Sequence, residues 1–240
     1  RRTRQSSAVV FLVVVVVVII VGMPLPWKTV FPRPRIPEIR ERAISLNQLR
    51  ALRVFIQRLC KARLLKYTTE HAAQTRLLGK PIEWCDINLY EICDELIRKV
   101  IPFLDPEGKE NANKCSRWYS WVELVADGPQ KANVFISHYF GGRFRDFTAS
   151  IETFAGDRSL SINTCVWICA FANNQFGENF GVYIDECPFI RVLEITDLMV
   201  LIVDRGAGSL TRVWCGVELY YATKHEKELE VYSSFGRVGS

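Results

Sequence analysis

Hydrophobic and polar positions divide the chain into three parts with different periodicities. Residues 8–22 form an unbroken apolar run. Within residues 38–130 apolar side chains recur at three- and four-residue spacing, which is typical of amphipathic helices. After a turn at residues 127–129, short apolar runs alternate with segments of helical periodicity. The pattern therefore predicts an apolar segment, then an α-helical module, then an α/β domain over residues 131–240.

The helical module is predicted to contain three helices. The first covers residues 38–67, with Pro37 placed at its first turn. The second opens at a capping box that begins with Asn88 and ends near Pro102. A second capping box at Ser120 opens a short third helix.

The last part of the chain predicts a parallel sheet flanked by helices. Its apolar runs are short and rich in branched residues, as in strands that are buried on both faces. Strands are predicted at residues 134–136, 164–171, 197–204 and 229–232, and helices at 144–154, 180–187 (closed by Pro188) and 209–224.

The N-terminal part, residues 1–27, combines a basic start with the apolar run. Fifteen apolar residues fall short of the roughly 20 that span a bilayer as a helix, but residues 23–27 extend the run. A membrane anchor, a signal peptide and a flexible terminus all remain open. Positive charge is heavier downstream, in and after the proline-rich linker of residues 28–37. If the run spans, the main domains face the cytosol; if it does not, a cytoplasmic protein is expected.

Charge and cysteine content limit which partners, metal sites and cellular settings are expected for this chain. The net charge of +5 is concentrated in residues 28–66, a block that suits an anionic membrane surface, nucleic acid or a solvated helix face. Its position beside the apolar run disfavours nucleic acid as a partner. The eight cysteines form no CxxC pair and no zinc-spaced set with histidine, so we expect no metal and reduced thiols. Reduced thiols favour a cytosolic setting.

Glu218 is the strongest candidate for chemistry. It lies on a predicted helix, four residues after Trp214 and on the same face. A carboxyl group among aromatic side chains in a cleft at the ends of the strands is suited to acid–base or charge-stabilising work. The alternatives are an exposed glutamate or one that pairs with Arg212 or Lys224.

Other polar residues follow the predicted strands. Ser137 and His138 end the first strand, but neighbouring strand residues point to opposite faces, which disfavours a serine hydrolase pair. Asn173 and Asn174 follow the second strand and can contact a ligand or supply turn chemistry. Asp204 ends the third strand, as a turn residue or as a ribose contact.

Two motifs, in this order, resemble those of Toll/interleukin-receptor (TIR) domains. The segment Phe-Ile-Ser-His-Tyr at 135–139 resembles the first-strand motif, and Trp-Cys-x-x-Glu-Leu at 214–219 resembles a helix motif of plant and microbial members. Residues 167–175, and upstream pieces near residues 79, 88 and 115, are similar to TIR-like proteins of alveolate protists such as dinoflagellates. The resemblance covers about residues 79–221.

The resemblance implies a flavodoxin-like sheet and cleavage of NAD at its nicotinamide–ribose bond. Glu218 would be the essential carboxylate, NAD the substrate, and no cofactor would be required. The residues implied to line the nucleotide pocket or to lie beside it are Ser137, His138, Tyr139, Phe140, Asn173, Asn174 and Trp214.

The predicted sheet departs from the family in its number of strands. A full TIR domain has five strands and a closing helix, whereas four strands are predicted here, so the sequence predicts a C-terminally truncated domain. The alternative function is a non-catalytic signalling scaffold that self-associates through this domain. The third hypothesis is a different sugar- or nucleotide-processing enzyme on the same fold.

Overall fold

The computed structural model of the chain describes residues 25–26, 35–104, 118–177 and 184–239. The apolar run of residues 8–22 lies outside the described residues. The prediction of a membrane anchor depends on this run. Among the helices that are described, none combines the length and the apolar character needed to cross a bilayer.

The core of the fold is one mixed sheet of six strands. From edge to edge the order is β1-β3-β2-β4-β5-β6, and the four inner strands run parallel. Both edge strands are short and antiparallel to their neighbours. The prediction of an α/β chain with a mostly parallel sheet is thus confirmed. The strands are β1 (Ile44–Ser45), β2 (Val134–Ser137), β3 (Cys165–Trp167), β4 (Leu198–Ile202), β5 (Glu228–Ser233) and β6 (Gly236–Arg237).

Helices cover both faces of the sheet. The α-helices are α1 (Leu46–Lys61), α2 (Glu70–Gln74), α3 (Leu89–Ile92), α4 (Arg98–Leu104), α5 (Trp121–Val125), α6 (Phe144–Asp157), α7 (Cys169–Ala172), α8 (Pro188–Ile195) and α9 (Val213–Lys224). A π-helical turn (Cys93–Ile97) joins α3 to α4, and short 3₁₀ turns occupy Ile39–Glu41, Ile184–Glu186 and Gly208–Thr211.

The first helix begins later than the sequence pattern predicted. Residues 39–45 form a 3₁₀ turn and the edge strand β1 instead of helix. Ser45 then caps α1: its Oγ accepts from the Gln48 backbone N–H, and the Gln48 side chain accepts from the Ser45 N–H. This reciprocal capping box satisfies two backbone donors and fixes the start of the helix.

The second predicted strand, residues 164–171, was too long. β3 ends at Trp167, and α7 follows from Cys169. A short apolar run does not by itself distinguish a buried strand from a buried helix, which explains the error.

Pro188 opens a helix instead of closing one. It is the first residue of α8, where a proline loses no intrahelical hydrogen bond because the first N–H groups of a helix have no partner. Pro102 likewise lies inside α4, which extends two residues beyond it.

Side chains of β2 alternate between two hydrophobic clusters. Val134 and Ile136 pack on the face that carries α1 and α6, whereas Phe135 packs on the face that carries α8 and α9. The first cluster also contains Leu52 and Ile97 from the predicted helical module. The two predicted parts of the chain therefore share one core and one sheet. A domain boundary near residue 130 remains a prediction.

Candidate functional site

A cavity of about 560 Å³ opens beyond the carboxyl ends of β2 and β3, beside the N-terminus of α9. β3, the next strand along the chain, lies on one side of β2 in the sheet, and β4 lies on the other side. Such a switch in strand order creates the crevice where parallel sheets bind ligands. Seven residues predicted for the site line this cavity: His138, Tyr139, Phe140, Asn173, Asn174, Trp214 and Glu218.

Ser137, the eighth predicted residue, does not line the cavity but forms a hydrogen bond with Glu218. It ends β2, and its Oγ donates a hydrogen bond of 2.5 Å to Oε2 of Glu218. Glu218 is only 5% exposed. Among the described residues, no lysine or arginine nitrogen lies within ion-pair distance of it. Both alternatives from the sequence, an exposed glutamate and one paired with Arg212 or Lys224, are therefore wrong for Glu218.

The burial of Glu218 changes its protonation. Desolvation raises the pKa of this carboxyl from 4.5 to about 8, and the hydrogen bond from Ser137 opposes part of that rise. The Glu218 carboxyl group is therefore largely protonated at neutral pH. A cationic group placed beside it would favour the carboxylate.

His138 is held as a neutral imidazole. Its Nδ1 lies 3.2 Å from the carbonyl oxygen of Ile136, and its ring stacks on Phe140 with centroids 5.4 Å apart. Burial lowers its pKa to about 4. The bond to the carbonyl places the proton on Nδ1, so Nε2 is an acceptor, 3.9 Å from Sγ of Cys169. Ser137 and His138 thus have separate partners.

Two glycines make room for the ring of Tyr139. A Cβ added at Gly141 would lie 2.4 Å from this ring, and one at Gly208 would lie 2.5 Å from it. The Arg212 guanidinium lies 5.4 Å from the ring centroid. Tyr139 is therefore enclosed by two backbone segments and one cation, which fixes this wall of the cavity.

Asn173 and Asn174 differ in what their amides do. Oδ1 of Asn174 accepts from the backbone N–H of Phe176 at 2.9 Å, which closes a turn of the Asx type. Oδ1 of Asn173 is buried and has no hydrogen-bond partner among the described residues. Native buried polar atoms are nearly always paired, so Asn173 marks the cavity as a place for a polar ligand or water.

Trp214 forms the rim of the cavity. It is 48% exposed, and its ring packs against Phe189 with centroids 5.5 Å apart. Asp204, by contrast, takes the turn role: its carboxylate accepts from the backbone N–H groups of Gly206 and Ser209, both at 3.1 Å.

The sequence pattern missed lining residues that come from distant parts of the chain. Tyr90 and Arg98 reach the cavity from α3 and α4. Tyr90 packs on Phe140, with ring centroids 5.4 Å apart, and the Nε of Arg98 donates to the carbonyl oxygen of Gln175 at 3.0 Å. No local motif marks Arg98. The pattern also misses Phe189, because it predicts that a helix ends at Pro188.

The two thiols of the cavity are not set up as nucleophiles. Burial raises the pKa of Cys215 to about 11 and that of Cys169 well above its usual value. A thiolate is the reactive form of cysteine, so neither is activated. In the described part of the chain, no group of cysteine, histidine and acidic side chains could hold a metal ion.

Comparisons with protein-family models, curated proteins and solved structures found no match for this chain. Its resemblance to TIR domains therefore rests on sequence motifs alone.

Proposed function

We propose that the protein hydrolyses NAD at the bond between nicotinamide and ribose. The observation that carries the proposal is the buried carboxyl group of Glu218, held by Ser137 and facing a cavity with aromatic walls. The cavity volume falls within the range of about 300–1,000 Å³ that small-molecule sites have.

The proposed mechanism uses the charge of the substrate. The nicotinamide ring of NAD is cationic, so its arrival favours the carboxylate form of Glu218, and the carboxyl group releases its proton to solvent. As the bond from the ring nitrogen to ribose C1′ breaks, the bonding electrons leave with nicotinamide and positive charge develops on the sugar. The carboxylate stabilises this oxocarbenium-like transition state in a site of low dielectric. Water then adds to C1′ and releases one proton, giving ADP-ribose and neutral nicotinamide.

The hydrogen bond from Ser137 fixes the position of the Glu218 carboxyl group before the substrate arrives, so the carboxylate forms already in place. A preorganised charge costs no reorientation during the reaction, which is the main source of electrostatic catalysis. His138, neutral and engaged by a backbone carbonyl, shapes the wall and carries no charge in this mechanism.

We also propose that the sheet is of the flavodoxin-like type found in TIR domains. The four parallel strands, numbered by their order along the chain, lie in the order 2-1-3-4, which is the order of the first four strands of that fold. A sheet of this type suits a ligand site at the carboxyl ends of its strands, but it does not determine which reaction takes place there.

The test is nicotinamide release from NAD by wild type, Glu218→Gln and Glu218→Ala. We expect both variants to lose at least 100-fold in kcat/KM, on the scale of the loss of one preorganised charge-stabilising group. Glu194→Gln, an exposed glutamate on α8, is the matched control and should keep wild-type turnover. Equal turnover in wild type and Glu218→Gln would rule out the proposed role.

A self-associating scaffold is the second candidate function. Large apolar side chains are exposed at and just before α9: Leu210 is 61% exposed, Val213 80% and Tyr220 63%. Val213 and Tyr220 lie seven residues apart on α9 and so share a face of the helix, and apolar side chains exposed on one face are typical of interaction surfaces. This function predicts assembly that rises with protein concentration and no nicotinamide release at any concentration, which sedimentation and product analysis would show.

A further inference from the structure

The cavity has an excess of positive charge at its mouth. Among the described residues, the ionisable side chains that line it, thiols and phenols aside, are Arg98, Arg212, His138 and Glu218. Burial keeps His138 neutral and Glu218 mostly protonated at neutral pH. The two guanidinium groups therefore dominate the charge of the lining.

Arg212 has no carboxylate partner in the described part of the chain. It is an exposed residue that stands directly before α9, and its guanidinium lies over the face of Tyr139. It also occupies the cap position of this 12-residue helix without giving the first turn a side-chain acceptor. Helix N-termini carry a partial positive charge, so this end of α9 adds to the preference for an anion.

Arg98 reaches the same cavity from the helical segment. Its Nε donates to the Gln175 carbonyl and its Nη1 to Asp94 at 2.5 Å, which leaves Nη2 without a partner among the described residues. Asp94 offsets part of its charge but lines a neighbouring cavity and not this one. The bond to Gln175 fixes the guanidinium beside the loop that carries Asn173.

We propose that Arg98 and Arg212 form a phosphate-binding subsite at the mouth of the cavity, which holds the diphosphate of a nucleotide while Glu218 faces its sugar. The inference rests on the proposed function for the identity of the ligand. Guanidinium groups suit this role because their planar N–H forks match phosphate oxygens. The buried, unpaired Oδ1 of Asn173 is a hydrogen-bond acceptor, so in the same cavity it suits a donor such as a sugar hydroxyl and not the phosphate.

Binding measurements can test the subsite without any turnover. The probes are ADP-ribose, which carries the diphosphate, and adenosine, which carries none. We expect Arg98→Gln and Arg212→Gln each to raise the Kd of ADP-ribose about 10- to 100-fold by calorimetry, the range of one charge-assisted hydrogen bond. The Kd of adenosine should not change, and ADP-ribose should bind more weakly as salt increases. Arg191→Gln, an exposed arginine on α8 outside the cavity, is the control.

The outcomes separate this inference from the proposed reaction. Arginine-dependent ADP-ribose binding without nicotinamide release supports the subsite and rejects the hydrolase. Nicotinamide release with an unchanged Kd for ADP-ribose in both arginine variants overturns the subsite alone. Wild type that does not bind ADP-ribose, or variants that weaken adenosine and ADP-ribose equally, also overturn it, because the arginines would then only maintain the wall.

Discussion

Replacing Glu218 with glutamine should make the fold less sensitive to pH. In the unfolded chain this carboxyl ionises near pH 4.5, whereas in the folded chain burial raises its pKa to about 8. Between these values the folded state binds more protons than the unfolded state, so stability falls as pH rises. The contribution of Glu218 is fully present below about pH 4.5 and lost once pH exceeds about 8.

The magnitude follows from the size of the pKa shift. At 1.36 kcal/mol per unit, a rise from 4.5 to about 8 corresponds to roughly 5 kcal/mol between the two ends of this window. This is an upper limit, because water in the open cavity reduces the cost of ionisation. Glutamine has no such titration, and its Oε1 can still accept from Ser137.

The assay is urea unfolding followed by tryptophan fluorescence at pH 5, 6, 7 and 8. The difference in unfolding free energy, Glu218→Gln minus wild type, should grow by about 1 kcal/mol per pH unit. Glu194→Gln, which changes an exposed carboxyl, should run parallel to wild type. Parallel curves for Glu218→Gln and wild type across this range would refute the assignment of a raised pKa.

Three further predictions concern the walls of the site, and a fourth, at Gly216, serves as the control for the third. Ser137→Ala removes the hydrogen bond that favours the carboxylate, so the pH at which kcat/KM for NAD reaches half its plateau should move from about 8 to a higher value in a pH–rate profile. His138 should show no proton NMR titration between pH 5.5 and 8, since its pKa is lowered to about 4; a midpoint near 6.5 would contradict its burial. Gly208→Ala should destabilise the fold by about 1–3 kcal/mol in urea unfolding because a Cβ there overlaps the Tyr139 ring. In contrast, Gly216→Ala, with open space in α9, should stabilise it by about 0.5–1 kcal/mol.

Local patterns were sufficient where an element depends on its own residues. The apolar run at 197–204 predicted β4 (Leu198–Ile202), and the three- and four-residue spacing from Phe144 predicted α6. The capping boxes at Asn88 and Ser120 both formed as predicted. In each case the hydrogen bonds or the periodic face lie within a few residues, so the sequence contains the whole signal.

Contacts between distant residues were decided by the tertiary structure alone. The sequence selected Glu218, but its burial and its bond to Ser137, 81 residues away, depend on how α9 packs at the end of β2. Arg98 carried no sequence signal, because its bond to Gln175 spans 77 residues. The pairing of β1 with β3 and the protonation of Glu218 also depend on contacts between residues that are far apart in the chain. Sequence periodicity determines which face of an element is apolar, whereas burial and charge at a site depend on which other elements cover that face.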